Sequence, residues 1–187
     1  MELKETIEKR RAYKALIPIE VTDELINDLA KHAQLAPSCF NNQPWRYVFI
    51  HGKENLEKFY PALTGGNAWA QKASMIVAVF SKQEFDCIIK DKIYFLFDTG
   101  MATAFLILRA TDLGLVAHPM AGFNEDIAKE ILNIPPDMKL IAIIGIGKHN
   151  EDFEDVLEEN QIEHERNRPI RMNLNEFIYH NRYEKTS

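Results

Sequence analysis

Residues Ala36 to Trp45 read APSCFNNQPW, and the interpretation of the whole chain turns on them. Upstream, Leu25, Ile26, Leu29, Ala30 and Ala33 recur at helical spacing behind Thr22, a good N-cap, and predict a helix running to Ala36 that Pro37 stops. Downstream of Pro44, Trp45 to Ile50 (WRYVFI) is rich in aromatic and β-branched residues and predicts a strand. Between them lie Ser38, Cys39, Phe40, Asn41, Asn42 and Gln43, largely small or amide side chains, as expected of a loop held open for a ligand.

Working outward, residues 3 to 12 predict a short amphipathic helix with Arg10 and Arg11 at its exit. That basic pair reads either as favourable charge at a helix C-terminus or as a grip for an anion. After Gly52 a short helix is expected from Glu54 to Leu63, a loop at Thr64 to Asn67 and a helical turn at Trp69 to Lys72. Met75 to Phe80 (MIVAVF) is a continuous apolar run of strand length, expected to be covered on both faces. A long helix spans Ile93 to Leu115, starting a little before Ile93, followed by a short extended piece and a tight connector at His118 to Phe123. Asn124 caps a helix through Leu132, Pro135 to Asp137 forms a turn, and Leu140 to Gly147 (LIAIIGIG) forms a third strong strand. Glu151 to Glu165 carries eight acids, whereas Arg166 to Arg182 carries four arginines and no lysine, which suggests an exposed tail whose arginines have a task. Strands alternating with helices indicate an α+β or α/β chain with a small sheet covered by helices.

At 187 residues and 46% hydrophobic content, the chain is expected to form one domain with a sizeable core. A net charge of −6 without basic clustering argues against nucleic acid and acidic membranes as partners. Two cysteines cannot make a dense disulfide framework, and the charged start MELKETIEKRR lacks the apolar core of a signal peptide, so a reducing, cytoplasmic setting is expected. The apolar stretch 93 to 115 is interrupted by Asp98, Arg109 and Asp112 and reads as a buried helix rather than a membrane span. So apolar a helix needs more cover than a monomer of this size gives, and part of it is expected to face a second subunit.

Several chemistries are excluded. Gly145-Ile146-Gly147 follows a strand but has no third glycine, and Gly147-Lys148 lacks the rest of a phosphate-binding loop. The six histidines never fall at metal-ligand spacing with each other or with the cysteines, so no metal is implied. Cys39 has no nearby histidine to activate it and reads as a small loop residue; His118, before a proline at a turn, reads as structural. No catalytic side chain is assigned. What remains is arginines near both ends of the chain, amides at 41 to 43 and at 67, and a glycine connector at 121 to 122. Amides suit the edge of a planar ring, and arginine forks suit a phosphate.

These segments resemble the nitroreductase family of FMN-dependent oxidoreductases. The matches, in order, are EKRRAYKA, APSCFNNQPWRYVFI, GGNAWAQKASMIVAVF, GLVAHPMAGF and ERNRPI before NEFIYHNRY. The resemblance implies an α+β fold with a small mixed sheet, a long central helix at a homodimer interface and an extended C-terminal arm. It implies FMN shared between subunits, with Arg10, Arg11, Arg166 and Arg168 on the phosphate or ribityl chain, Ala12 contacting through its backbone, and Lys14 near the polar edge of the ring. Pro37, Ser38, Cys39 and Asn41 would come from the other subunit, with Gln43 near, Asn67 would meet the ring edge, and the Ala121 and Gly122 backbone would face the ring near N5. Ala12 stands where a hydroxyl residue is usual, and Cys39 where serine is. The implied activity is ping-pong transfer from NADH or NADPH to a small-molecule acceptor such as a nitroaromatic or quinone. A specialised relative, such as a reductive dehalogenase or flavin-consuming enzyme, and a non-catalytic flavin-binding protein are the alternatives.

Overall fold

In the computed structural model, which describes residues 2–183, the chain opens with helix α1 (Leu3–Lys9) and the short strand β1 (Leu16–Ile17). Helix α2 (Asp23–Gln34) begins where expected, with the Thr22 hydroxyl accepting the Leu25 N–H at 3.3 Å. Strand β2 (Arg46–His51) and helix α3 (Lys53–Phe59) follow, then a 3₁₀ turn over Gly65–Lys72 and strand β3 (Met75–Ser81). A hairpin, β4 (Ile88–Ile89) with β5 (Lys92–Ile93), precedes the long helix α4 (Phe95–Asp112). Strand β6 (Val116–Met120), helix α5 (Glu125–Leu132) capped by Asn124, strand β7 (Lys139–His149) and helix α6 (Glu159–Arg166) complete the order. Residues 167–183 form an arm with one 3₁₀ turn, exposed along its length.

The class is α+β, but every strand pairing among the described residues is antiparallel, where a mixed sheet was expected. β7 is the hub: β3 lies on one side, and β6 and β1 on the other, with β2 beyond β3. A continuous apolar run such as MIVAVF reports cover on two faces, not strand direction. Alternation along β3 shows this: Ile76 and Ala78 join Phe59, Leu56 and Ile143 against α3 and α5, whereas Met75, Val77 and Val79 join Leu29, Ala102 and Leu106 against α2 and α4. Fully buried side chains such as Phe59, Leu29 and Leu106 each stabilise the fold by about 1.5–3 kcal/mol.

Two boundaries differ from expectation. α4 starts at Phe95, because Ile88 to Ile93 is taken up by the hairpin. His118 and Pro119 lie within β6 rather than in a turn; proline is tolerated there because β6 is a sheet edge. No helix among the described residues is long and apolar enough to cross a membrane. One side of α4 is buried through Phe95, Asp98, Ala102, Leu106 and Ala110, while Leu96, Phe97 and Phe105 are exposed, Phe97 by 65%.

Candidate functional site

The N-terminal segment and the start of the C-terminal arm are laced together. α1 ends as Arg10 turns extended, and the Arg168 guanidinium donates to the carbonyls of Glu8 and, at 3.0 Å, of Arg10. Arg11 donates to the carbonyls of His164 and Glu165 at 2.9 and 3.2 Å and lies 4.8 Å over the Tyr13 ring. The buried Glu165 carboxylate accepts the N–H groups of Lys14 and Ala15, and lies 3.2 Å from His149 Nε2. His149 in turn stacks on Tyr13 at 3.8 Å. Burial pushes the Arg10 guanidinium below its ordinary value, and Arg168, Arg171 and Arg11 add to the effect. Positive charges so gathered suit a phosphate-sized anion, the reading of Arg10 and Arg11 as a grip.

Arg166 stands apart from that cluster, since its guanidinium pairs with Glu154 and is held above its ordinary value by that bond. Ala12 is exposed, and Lys14 is half-buried on a cleft of about 670 Å³ that Gly65, Trp69 and Lys72 also line.

Asn67 and Gly122, expected near one ring edge, are brought together. Asn67 Nδ2 donates to the Gly122 carbonyl at 2.6 Å, and the Thr64 hydroxyl donates to the same oxygen at 2.8 Å. Trp69 Nε1–H donates to Asn67 Oδ1 at 3.3 Å, so that amide is partly engaged within the protein, with one N–H left to offer. A Cβ on Gly122 would fall 2.5 Å from Asn67 Nδ2, so glycine is what lets this pair close; Ala121, beside it, is exposed. His118 bridges the two groups: Nδ1 lies 3.0 Å from the Tyr13 carbonyl and its ring 4.4 Å from that of Trp69. Burial, then the charges of Lys14 and Arg10, holds His118 below the ordinary histidine value against the pull of the Tyr13 carbonyl and Glu165.

The loop after α2 is shaped separately. Gln43 N–H donates to Ser38 Oγ at 3.0 Å, Gln43 Nε2 donates to the Asn41 carbonyl at 3.2 Å, and Cys39 N–H donates to Asp98 on α4 at 2.6 Å. Phe40, Asn41 and Gln43 all take positive φ. Pro37 and Asn41 are exposed, while Ser38 and Gln43 are half-buried. Cys39 is not the free loop residue expected: it is bonded to Cys87, just before β4. A pairing across 48 residues leaves no trace in local sequence. The Asp86 carboxylate lies within 4.8 Å of the bonded sulfurs. Burial, with the Asp86 carboxylate beside it, pushes the Asp98 carboxyl up against the lowering effect of the Cys39 N–H. Among the described residues, no hydrogen bond or ion pair joins this loop to the arginine cluster.

Sequence reasoning did not single out Glu165, Asp98, Thr64 or Arg171. Arg171 alone had a signal, its place in the same basic run as Arg166 and Arg168.

An α+β sheet flanked by helices, with arginines from residues 10–11 and 168 gathered at one seam, is the frame in which the comparisons with known proteins fall. Residues 7–93 and 64–148 match the model of the Nitroreductase family, and the chain belongs to that family of oxidoreductases. MhqN of Bacillus subtilis (strain 168), which carries the name of an NAD(P)H nitroreductase, is 26% identical over 91% of this chain and 94% of its own. A protein of Archaeoglobus fulgidus carrying the name NADH dehydrogenase/NAD(P)H nitroreductase is 27% identical over 77% of this chain and 84% of its own. The solved structure of an oxidoreductase containing FMN is 28% identical, with a TM-score of 0.86 over 97% of this chain and 92% of that one.

Proposed function

We propose that residues 1–187 form one FMN-binding domain acting as an NAD(P)H-dependent oxidoreductase. The observation that carries this is geometric: the bonds of Arg11 and Arg168 lace the N-terminal segment to the arm and gather Arg10, Arg11 and Arg168, and burial, with the neighbouring arginines adding to it, depresses Arg10 there. The FMN phosphate fits that donor set, and the names of the relatives point the same way. When bound, FMN would supply the redox chemistry, hydride transfer through flavin N5 between NADH or NADPH and an oxidised acceptor such as a nitroaromatic or quinone.

The chain's own residues bind and orient. Arg10, Arg11 and Arg168 would hold the phosphate, with Ala12 offering only backbone and Arg166 diverted to Glu154. Lys14, anchored through its N–H on Glu165, would set positive charge near the polar edge of the ring. The remaining N–H of Asn67, and the backbone at Ala121 and Gly122, would meet the rest of that edge.

The site is read as shared across a homodimer. Supporting this, the loop Pro37, Ser38, Cys39, Asn41 and Gln43 has no bonded link to the arginines among the described residues, and α4 exposes Leu96, Phe97 and Phe105. The arm adds exposed Ile170, Met172, Leu174 and Phe177. The setting proposed is the cytoplasm.

The test is direct. Purified protein mixed with FMN and desalted is expected to be yellow, and to bleach under nitrogen on adding NADH or NADPH. A protein that stays colourless removes the flavin assignment, and one bleached by dithionite but by neither nicotinamide removes the enzyme.

A further inference from the structure

We propose that the Cys39–Cys87 bond is a reversible thiol–disulfide site that sets the shape of the 38–43 loop, so that a dithiol reductant releases the loop and weakens the cofactor site it helps to form. The proposal rests on the reading of this loop as part of the FMN site. Cys39 lies inside the loop, whereas Cys87 lies outside every segment assigned to the cofactor, so the bond ties a binding element to the unrelated β4–β5 hairpin.

The loop has reason to move once untied. Phe40 and Gln43 each hold a φ of 50°, a region that residues other than glycine, asparagine and aspartate adopt rarely, on either side of Asn41 at 59°. The Phe40 side chain is 82% exposed and gives the loop no core contact to hold it. Its remaining ties are a few hydrogen bonds, chiefly Cys39 N–H to Asp98 and Gln43 N–H to Ser38. A conformation this unusual persists where its surroundings over-determine it, and the covalent bond is the strongest of those surroundings.

The site is also built to reclose. Asp86 accepts the Cys87 N–H at 2.8 Å and the Asn42 amide at 3.4 Å, and Asp98 seats the Cys39 N–H, so each cysteine backbone has its own carboxylate anchor independent of the sulfurs. Both cysteines are half-buried rather than sealed in the core. In the reduction the Sγ–Sγ bond breaks, the dithiol delivers two electrons and two protons, both cysteines end as thiols, and the dithiol leaves as its own disulfide.

The experiment compares oxidised protein, protein reduced with dithiothreitol, and the Cys87→Ser variant, which replaces none of the candidate cofactor residues. FMN titration is read beside thiol counting and hydrogen exchange of residues 38–43. Reduction is expected to release two thiols, speed exchange across the loop and weaken FMN binding about tenfold, as losing a pre-organised loop does. Cys87→Ser should match the reduced protein and ignore dithiothreitol. Two thiols released with unchanged FMN affinity overturns the switch while leaving the flavin assignment standing, and so does a protein that oxidants cannot cross-link. FMN binding to neither form overturns the flavin assignment, and this proposal with it.

Discussion

The Glu165 carboxylate accepts the backbone N–H groups of Lys14 and Ala15 at 3.1 and 3.0 Å, joining residues 151 and 150 positions apart. The segment it holds carries Arg10, Arg11 and Lys14, so this acid sets the seat of the proposed phosphate grip from behind. Glu165→Ala leaves two inward-facing N–H groups without their acceptor and is expected to cost about 2–4 kcal/mol in denaturant titration, with weaker FMN binding. Equal stability of the variant and the parent would dismiss the clamp.

Two neighbouring arginines should behave differently. Arg168 reaches the Arg10 carbonyl and adds to the charge on Arg10, whereas Arg166 is occupied by Glu154. Arg168→Ala is expected to weaken FMN affinity by about 1.5–3 kcal/mol, the range for charge-assisted bonds to phosphate. Arg166→Ala should change it little. A fluorescence titration of both variants decides, and the reverse order would move the grip from Arg168 to Arg166.

Gly122→Ala places a methyl group 2.5 Å from Asn67 Nδ2 and 2.8 Å from Thr64 Oγ1. Both side chains must leave the Gly122 carbonyl, at an expected cost of about 1–3 kcal/mol for the lost bonds. Thermal unfolding reads the cost, and Asn67→Ala in the same background should then add little, because the two changes remove one interaction.

The apolar stripe of α4 gives a test of assembly. Replacing Leu96 and Phe97 together by glutamate puts charge on a surface that the dimer reading covers. Light scattering after gel filtration should show a monomer with weakened FMN binding. A dimer that persists through this change would place the contact elsewhere.

Acid should destabilise the fold through His118. Burial lowers its folded value below the ordinary 6.5, so between the two values the unfolded chain binds more protons. Stability therefore rises with pH through that window, is lost on acidification through it, and levels off once the folded histidine is protonated too. Urea midpoints at about pH 7 and pH 5.5 should differ more in the parent than in His118→Gln; an equal difference would assign the acid sensitivity to other groups.

Much of the scaffold was legible because its signals are local. Thr22 and Asn124 cap the helices they were expected to cap, Pro37 follows the end of α2, and the run MIVAVF is the buried strand β3. The misread boundaries came from signals with two physical meanings. Pro119 marks a turn or a sheet edge alike, and the apolar residues at 88–93 suit a hairpin as well as the first turn of a helix. The site was legible as residue types rather than as contacts. Arg10, Arg11 and Arg168 stood out by charge, but Glu165 beneath Lys14, Asp98 beneath Cys39 and the Cys39–Cys87 bond join partners far apart in sequence. Nothing in a window around either partner encodes such a meeting.

The position of β7 near the end of the chain governs when the fold can close. It supplies the sheet partner of β1 and β6 and the second partner of β3, so while residues 139–149 are still inside the ribosome those earlier strands await their mate. Only the β2–β3 pair and the small β4–β5 hairpin can zip beforehand, and Glu165 arrives later still to fasten residues 14 and 15. Chains stalled before residue 139 should therefore be cut readily by protease, and those carrying residues to 166 should resist it, making the synthesis of residues 139–166 the step at which the fold closes.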